Sequence, residues 1–191
     1  MFKSVKRVIV VVLGLAFAGC GEYTPQPQFL PQHVRAISVK NFTNRTVNFG
    51  LEEKLSLTII NQFIQDGRVQ VANEGNADGM LSGEINRYIL EPLSYDANHV
   101  VEEYKLWVLV NVTFTDLSNN QALWTEQNME AETRFFVVSK PGVIVQTEQE
   151  ARETVWDYLA RDIVKRTIEG FGSVTGASER KVPGQQAPGV K

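Results

Sequence analysis

The side chains with reactive groups are few: one thiol, Cys20, two imidazoles, His33 and His99, and several closely spaced carboxylates. A lone cysteine has no partner for an internal disulfide or a thiolate metal cluster. Its usual role is that of a small buried hydrophobe, but its position here argues otherwise. The run Ala16-Phe17-Ala18-Gly19-Cys20 places small residues directly before the thiol, as the tight site of a lipoprotein signal peptidase requires. Phe17 stands where that pattern usually has Leu. The expectation is therefore lipid modification of Cys20, the alternative being an ordinary secretory signal with a coincidental cysteine. Neither histidine has Cys, His or carboxylate company at metal-ligand spacing, so no metal is expected. Glu102-Glu103 and the group Glu126, Glu130, Glu132 bring carboxylates together. Acid–base work would need one of them desolvated, and on strand edges they are expected to be solvated. No Gly-x-Ser-x-Gly, phosphate-cradling glycine loop or His-Glu-x-x-His occurs. The residues thus offer no catalytic set and no cofactor site, and binding or assembly is the default role.

The start of the chain supports the reading of Cys20. Lys3, Lys6 and Arg7 precede an apolar stretch over 8–17, the length of a signal h-region and too short for a membrane span. Residues 1–19 read as a cleaved signal peptide. Cys20 would then lead the mature chain with several acyl chains, a firm anchor. Gly21 next to it permits sorting to the outer membrane. The whole chain has a formal charge of −3. Removing the three basic residues of the leader from 19 leaves 16 against 22 acidic ones. So acidic a chain has no electrostatic reason to bind a nucleic-acid backbone.

The elements that must position any site follow. Residues 20–31, rich in Pro and Gln, read as a tether, 172–191 as a disordered tail, and 32–171 as the folded domain. Loose alternation predicts a strand over 34–39. A helix is predicted over 49–66, capped by Asn48 and closed by Gly67. Leu51, Leu55, Ile59 and Phe63 form its stripe, widened by Leu57, Ile60 and Ile64, so cover is expected on more than one side. Strands follow over 68–72, over 80–90 with Pro92 as the stop, over 101–116, and over 122–138, the last pair joined by a turn at 117–120. A second helix over 148–168 opens on the capping box Thr147-x-x-Glu150. Its inner face is expected to hold Ala151, Val155, Tyr158, Leu159 and Ile163. Asp157 with Arg161, and Asp162 with Arg166, are expected to pair outside at i, i+4. The fold class is α+β, in the order β-α-β-β-β-β-α, with both helices on one face of a mostly antiparallel sheet. The other face must be polar or bound to something.

An ordered set of phrases resembles the LptE family, the lipopolysaccharide-assembly lipoproteins of Gram-negative outer membranes. It runs from Leu30-Pro31-Gln32-His33-Val34-Arg35 through Asn41-Phe42-Thr43-Asn44-Arg45-Thr46 and Gly50-Leu51-Glu52-Glu53. It continues with Phe63-Ile64-Gln65-Asp66-Gly67-Arg68, Ala77-Asp78, Gly83-Glu84-Ile85, Pro92-Leu93-Ser94-Tyr95-Asp96 and Glu103-Tyr104. Leu123-Trp124 and Asp162-Ile163-Val164 complete it. The resemblance implies a protein that plugs the lumen of the outer-membrane β-barrel LptD, helps it assemble and binds lipopolysaccharide. Arg87, Lys105, Arg134 and Lys140, on strands or their ends, are the candidates to pair with lipid A phosphates. The 119–120 turn and the 94–100 loop are candidates to touch the barrel wall. The competing readings are an accessory lipoprotein of another envelope machine and, with no motif behind it, an envelope hydrolase.

Overall fold

The structure, a computed structural model, describes residues 30–170. The leader, Cys20, the tether up to residue 29 and the tail lie outside the described residues. The elements in chain order are β1 (Ala36–Val39), β2 (Thr43–Asn44), α1 (Leu51–Asp66), β3 (Gln70–Val71), a 3-10 turn (Glu74–Asn76), β4 (Gly79–Tyr95), β5 (Val101–Asp116), β6 (Gln121–Phe136) and α2 (Glu148–Glu169). The α+β class and the two-helix arrangement hold. The sheet order is β3-β1-β4-β5-β6, with β2 beside β4. The β4-β5-β6 meander is antiparallel and carries most of the pairing, whereas the short strands β1, β2 and β3 pair in parallel. Among the described residues no helix is long and apolar enough to cross a membrane.

The core lies between the sheet and the two helices. β5 supplies Leu106, Val108, Val110, Val112 and Phe114 at alternate positions, and α1 and α2 supply Leu55, Ile59, Phe63, Val155, Leu159 and Ile163. The predicted capping box forms at Thr147 and Glu150, and Gly67 closes α1 in the left-handed conformation. Gly83 is the tightest point of the sheet. A Cβ there would lie 2.6 Å from the backbone oxygen of Asn111 and would press into the ring of Phe42, 2.8 Å from its Cζ. The missing side chain lets Phe42, itself buried, lie against β4.

Several expectations are corrected. Asn48 does not cap α1. Gly50 does, at φ 74 and without a side-chain bond, because the helix begins only at Leu51 and leaves Asn48 two residues before the capping position, where its carbonyl accepts from the Asn44 side chain. The turn throws Val47 and Phe49 outward, 88% and 96% exposed. Residues 43–44, between the predicted strand and helix, form β2: two residues are too few to show alternation. Pro92 does not end β4, which continues to Tyr95. Past Ile85 no strand among the described residues lies on the side of β4 away from β5, so a missing N–H at this edge breaks no ladder. On α1, Leu57 and Ile64 stay open to solvent, and on α2 Tyr158 is exposed while Trp156 is buried. The buried arc of α2 includes Ala160, Val164 and Thr167, which rotates Tyr158 past its border. Neither i, i+4 ion pair forms among the described residues: Arg161 lies over the Tyr158 ring and Arg166 reaches across to Glu126 of β6.

Candidate functional site

With both helices on one face, no helix among the described residues lies on the other face of the meander. Strict alternation decides what it carries. From β4 come Glu84, Arg87, Ile89 and Glu91; from β5, Lys105, Trp107 and Leu109; from β6, Glu130, Glu132 and Arg134. The register aligns them in rows: Glu91 with Lys105 and Arg134, Ile89 with Trp107 and Glu132, Arg87 with Leu109 and Glu130.

The floor of this face is apolar yet closed. Trp107 and Leu109 are each only 3% exposed, although they stand outside the helix-side core. Long charged side chains of the same face reach Trp107. Two contacts fix the arrangement. The Trp107 indole N–H donates to Glu130 at 2.9 Å, and Lys105 lies 5.4 Å from the Trp107 ring centre. Lys105 also pairs with Glu91 at 2.8 Å.

Three of the four sequence candidates, Arg87, Lys105 and Arg134, share this face. Lys105 is already neutralised by Glu91, whereas Arg87 and Arg134 pair with no carboxylate among the described residues. Lys140 stands apart, beyond the end of β6, bonded to Glu102 at 2.5 Å. The carboxylates expected to be solvated are engaged instead: Glu102 by Lys140, Glu126 by Arg166 and Glu130 by Trp107. Burial draws the Arg166 guanidinium below its ordinary range. Tyr88, on the helix side of β4, donates to Glu148 at the start of α2 at 2.6 Å. Burial first, and then that carboxylate, push its phenol up.

The opposite end of the domain, where the chain enters, has its own polar cluster. His33 Nε2 lies 2.8 Å from Asp116 Oδ2, a carboxylate buried at the end of β5. Asp116 also accepts from the Ser118 hydroxyl and amide at 2.7 and 2.9 Å. The Ser118 hydroxyl, then its amide, hold the Asp116 carboxyl below the usual range, with His33 adding to them. Asp78 accepts from the amides of Arg35 and Ala36, both at 2.9 Å, and the Arg35 amide first, then that of Ala36, lower it likewise. His99 sits in the β4–β5 turn with φ 65, its amide bonded to Asp96. No group of three or more potential metal ligands occurs among the described residues. Sequence reasoning missed the Trp107–Leu109 floor, although alternation along 105–109 puts both on the face away from Leu106 and Val108. It also missed the His33–Asp116 bond, because 83 residues separate the partners.

A two-layer α+β domain with one sealed sheet face and one open, charge-laced face defines a class of small single-domain proteins in which the open face is the surface free for contact. A family model matches residues 34–168 and is described as LptE, lipopolysaccharide-assembly. The chain belongs to the LptE family and, at that level, is a lipopolysaccharide-assembly protein. A crystal structure of a protein from Xanthomonas campestris has the same fold at 13% identity and a TM-score of 0.52, covering 76% of this chain and 89% of that one. A minor lipoprotein from Acinetobacter baumannii is 16% identical with a TM-score of 0.45, over 70% of this chain and 91% of that one. No curated protein sequence matches the chain.

Proposed function

We propose that this protein is a non-enzymatic outer-membrane lipoprotein that seats in an LptD-type β-barrel and contributes to lipopolysaccharide insertion. Residues 1–19 direct export, Cys20 carries the acyl chains, 20–31 tether them to the 32–171 domain, and 172–191 trail from it. The observation that carries the reading is the family match over the folded domain. The placement of Arg87, Lys105 and Arg134 on one open face supports it further. Two guanidiniums without carboxylate partners suit bidentate contact with the phosphates of lipid A, and Lys105 joins them once an incoming phosphate competes with Glu91.

The test is a pull-down of C-terminally tagged full chain from detergent-solubilised outer membranes, beside a Cys20→Ala variant. Stoichiometric recovery of the lipopolysaccharide translocon barrel is expected, and recovery with Cys20→Ala assigns the contact to the folded domain. A chain found in the outer membrane without that barrel overturns the reading and leaves a lipoprotein of another machine.

A further inference from the structure

The edge of β4 between Arg87 and Glu91 is open, and its sequence is complementary to itself. Leu81 and Ile85 give their carbonyls to Lys40 and Arg45 on this side of the strand. The bulge between Ile85 and Arg87 shifts the alternation by one, which turns the backbone groups of Tyr88, Leu90 and Pro92 outward. From there to the end of the strand no described residue pairs with them in the sheet. Apolar side chains stay uncovered along this stretch: Leu90 and Leu93 are each 37% exposed and Tyr95 is 54% exposed.

We propose that this edge pairs antiparallel with the same edge of a second copy, about a two-fold axis at Ile89, joining two sheets into one. In that register Tyr88 faces Leu90 of the second copy and Leu90 faces its Tyr88. These are the outward-turned residues, so both pairs exchange backbone hydrogen bonds. Arg87 faces Glu91 of the second copy, and Glu91 faces its Arg87, on the open face. Both charges suit the role. Arg87 pairs with no carboxylate among the described residues, and Glu91 meets Lys105 through one oxygen and keeps the other. The two ends of the window limit it: the bulge stands before Arg87, and Pro92 offers no N–H after Glu91. The other outer strand of the meander, β6, lacks this complementarity. A two-fold that matched Glu130 with Arg134 of a second copy would set Glu132 against itself, and Asn128, at φ 57, marks a bulge within it. A five-residue window is a small contact, of the weak and concentration-dependent kind.

The test uses the full chain with Cys20→Ala, so that introduced cysteines are the only ones. Facing residues of the non-hydrogen-bonded pair lie about 4.5 Å apart at Cα, within the range of roughly 4.4–6.8 Å that a disulfide spans. Ile89→Cys, on the axis, is expected to give a disulfide-linked dimer under mild oxidant, whereas Asn119→Cys, at an exposed turn, stays monomeric. Adding Arg87→Glu is expected to reduce the cross-linked fraction about tenfold, since two symmetric cross-strand charge pairs are reversed at once. Adding Glu91→Arg as well is expected to restore it. Sedimentation of the chain without introduced cysteines should follow the same order. An absent Ile89→Cys dimer, an equal yield from Asn119→Cys, or indifference to both charge changes overturns the proposal. No lipid or barrel enters the measurement, so its outcome is independent of the proposed function.

Discussion

Replacing Gly83 with alanine tests the packing from which the sheet edge is built. The added methyl carbon would lie 2.6 Å from the Asn111 carbonyl oxygen and 2.8 Å from Phe42 Cζ, pressed into the ring. The ring has room to swing only by leaving the core, where it is 2% exposed. The carbonyl belongs to the β4–β5 ladder and moves only if the ladder opens. Overpacking of this kind costs about 1–3 kcal/mol. At roughly 2–4 °C per kcal/mol for a chain of this size, the midpoint of thermal unfolding should fall by about 4–8 °C at the middle of that range. Urea unfolding followed by fluorescence suits the chain, because Trp107, Trp124 and Trp156 are all buried. The transition should move to lower urea with an unchanged slope. Gly75→Ala is the control: nothing lies within 4 Å of its added carbon, and its midpoint should stay within about 0.5 kcal/mol of the parent. Phe42→Leu added to Gly83→Ala should recover only part of the loss, because the Asn111 carbonyl still blocks the site. If Gly83→Ala unfolds with Gly75→Ala, the close approach of Phe42 to β4 is refuted.

Gly67→Ala places a side chain at φ 71 and should cost about 1–2 kcal/mol, read by the same urea transition. Thr147→Ala removes the α2 capping box and should cost about 0.5–2 kcal/mol. The carboxyls of Asp78 and Asp116 are both held below their ordinary range. A depressed folded value stabilises at pH above the unfolded range, near 4, and that contribution is lost as pH falls through the lower folded value. Stability should therefore drop on acidification below about pH 4, and Asp116→Asn should flatten the drop; an unchanged pH profile in the variant would contradict the assignment. For the proposed lipid contact, Arg87→Glu with Arg134→Glu should weaken lipopolysaccharide binding to the purified chain by at least tenfold, since charge-assisted bonds contribute about 1.5–3 kcal/mol each. Unchanged binding would remove the open face from the lipid path.

Long regular patterns were legible in the sequence, and single-residue geometry was not. β5 was read to its bounds because its alternation from Leu106 to Phe114 within a sixteen-residue strand outweighs any local accident. The capping box and the Gly67 stop were read because each is a local chemical device whose partners lie within four residues. Pro92 misled because a proline's meaning depends on whether its strand side is paired, a property of topology. Asn48 misled because the left-handed turn at Gly50 delays the helix to Leu51, which leaves Asn48 two residues short of the capping position. Leu57 and Ile64 look like core in a periodic reading, but two helices on one sheet cover only part of each helix. Three of the four basic candidates converge on one face because alternation fixes direction; Lys140 lies beyond the regular strand, where alternation says nothing.

The same alternation explains how an acidic domain can keep an open sheet face in water and still offer it to a partner. A bare floor of Trp107, Leu109 and Ile89 would be a sticky apolar patch. Here charged side chains stand beside it, among them Lys105, paired with Glu91, and Glu130, bonded to Trp107. The partly exposed Lys105–Glu91 pair contributes about 0–1 kcal/mol, whereas the bond from the buried indole to a carboxylate contributes about 1.5–3 kcal/mol. A partner that supplies a phosphate would therefore displace Glu91 from Lys105 at small cost while the Trp107–Glu130 bond stays. A Glu130→Gln change keeps an acceptor for the indole and removes one negative charge from the face. It should strengthen binding of an anionic lipid several-fold at low salt, and the gain should fade as salt screens the face. Weaker or unchanged binding would show that the glutamates belong to the contact itself and that the face is built for a partner of mixed charge.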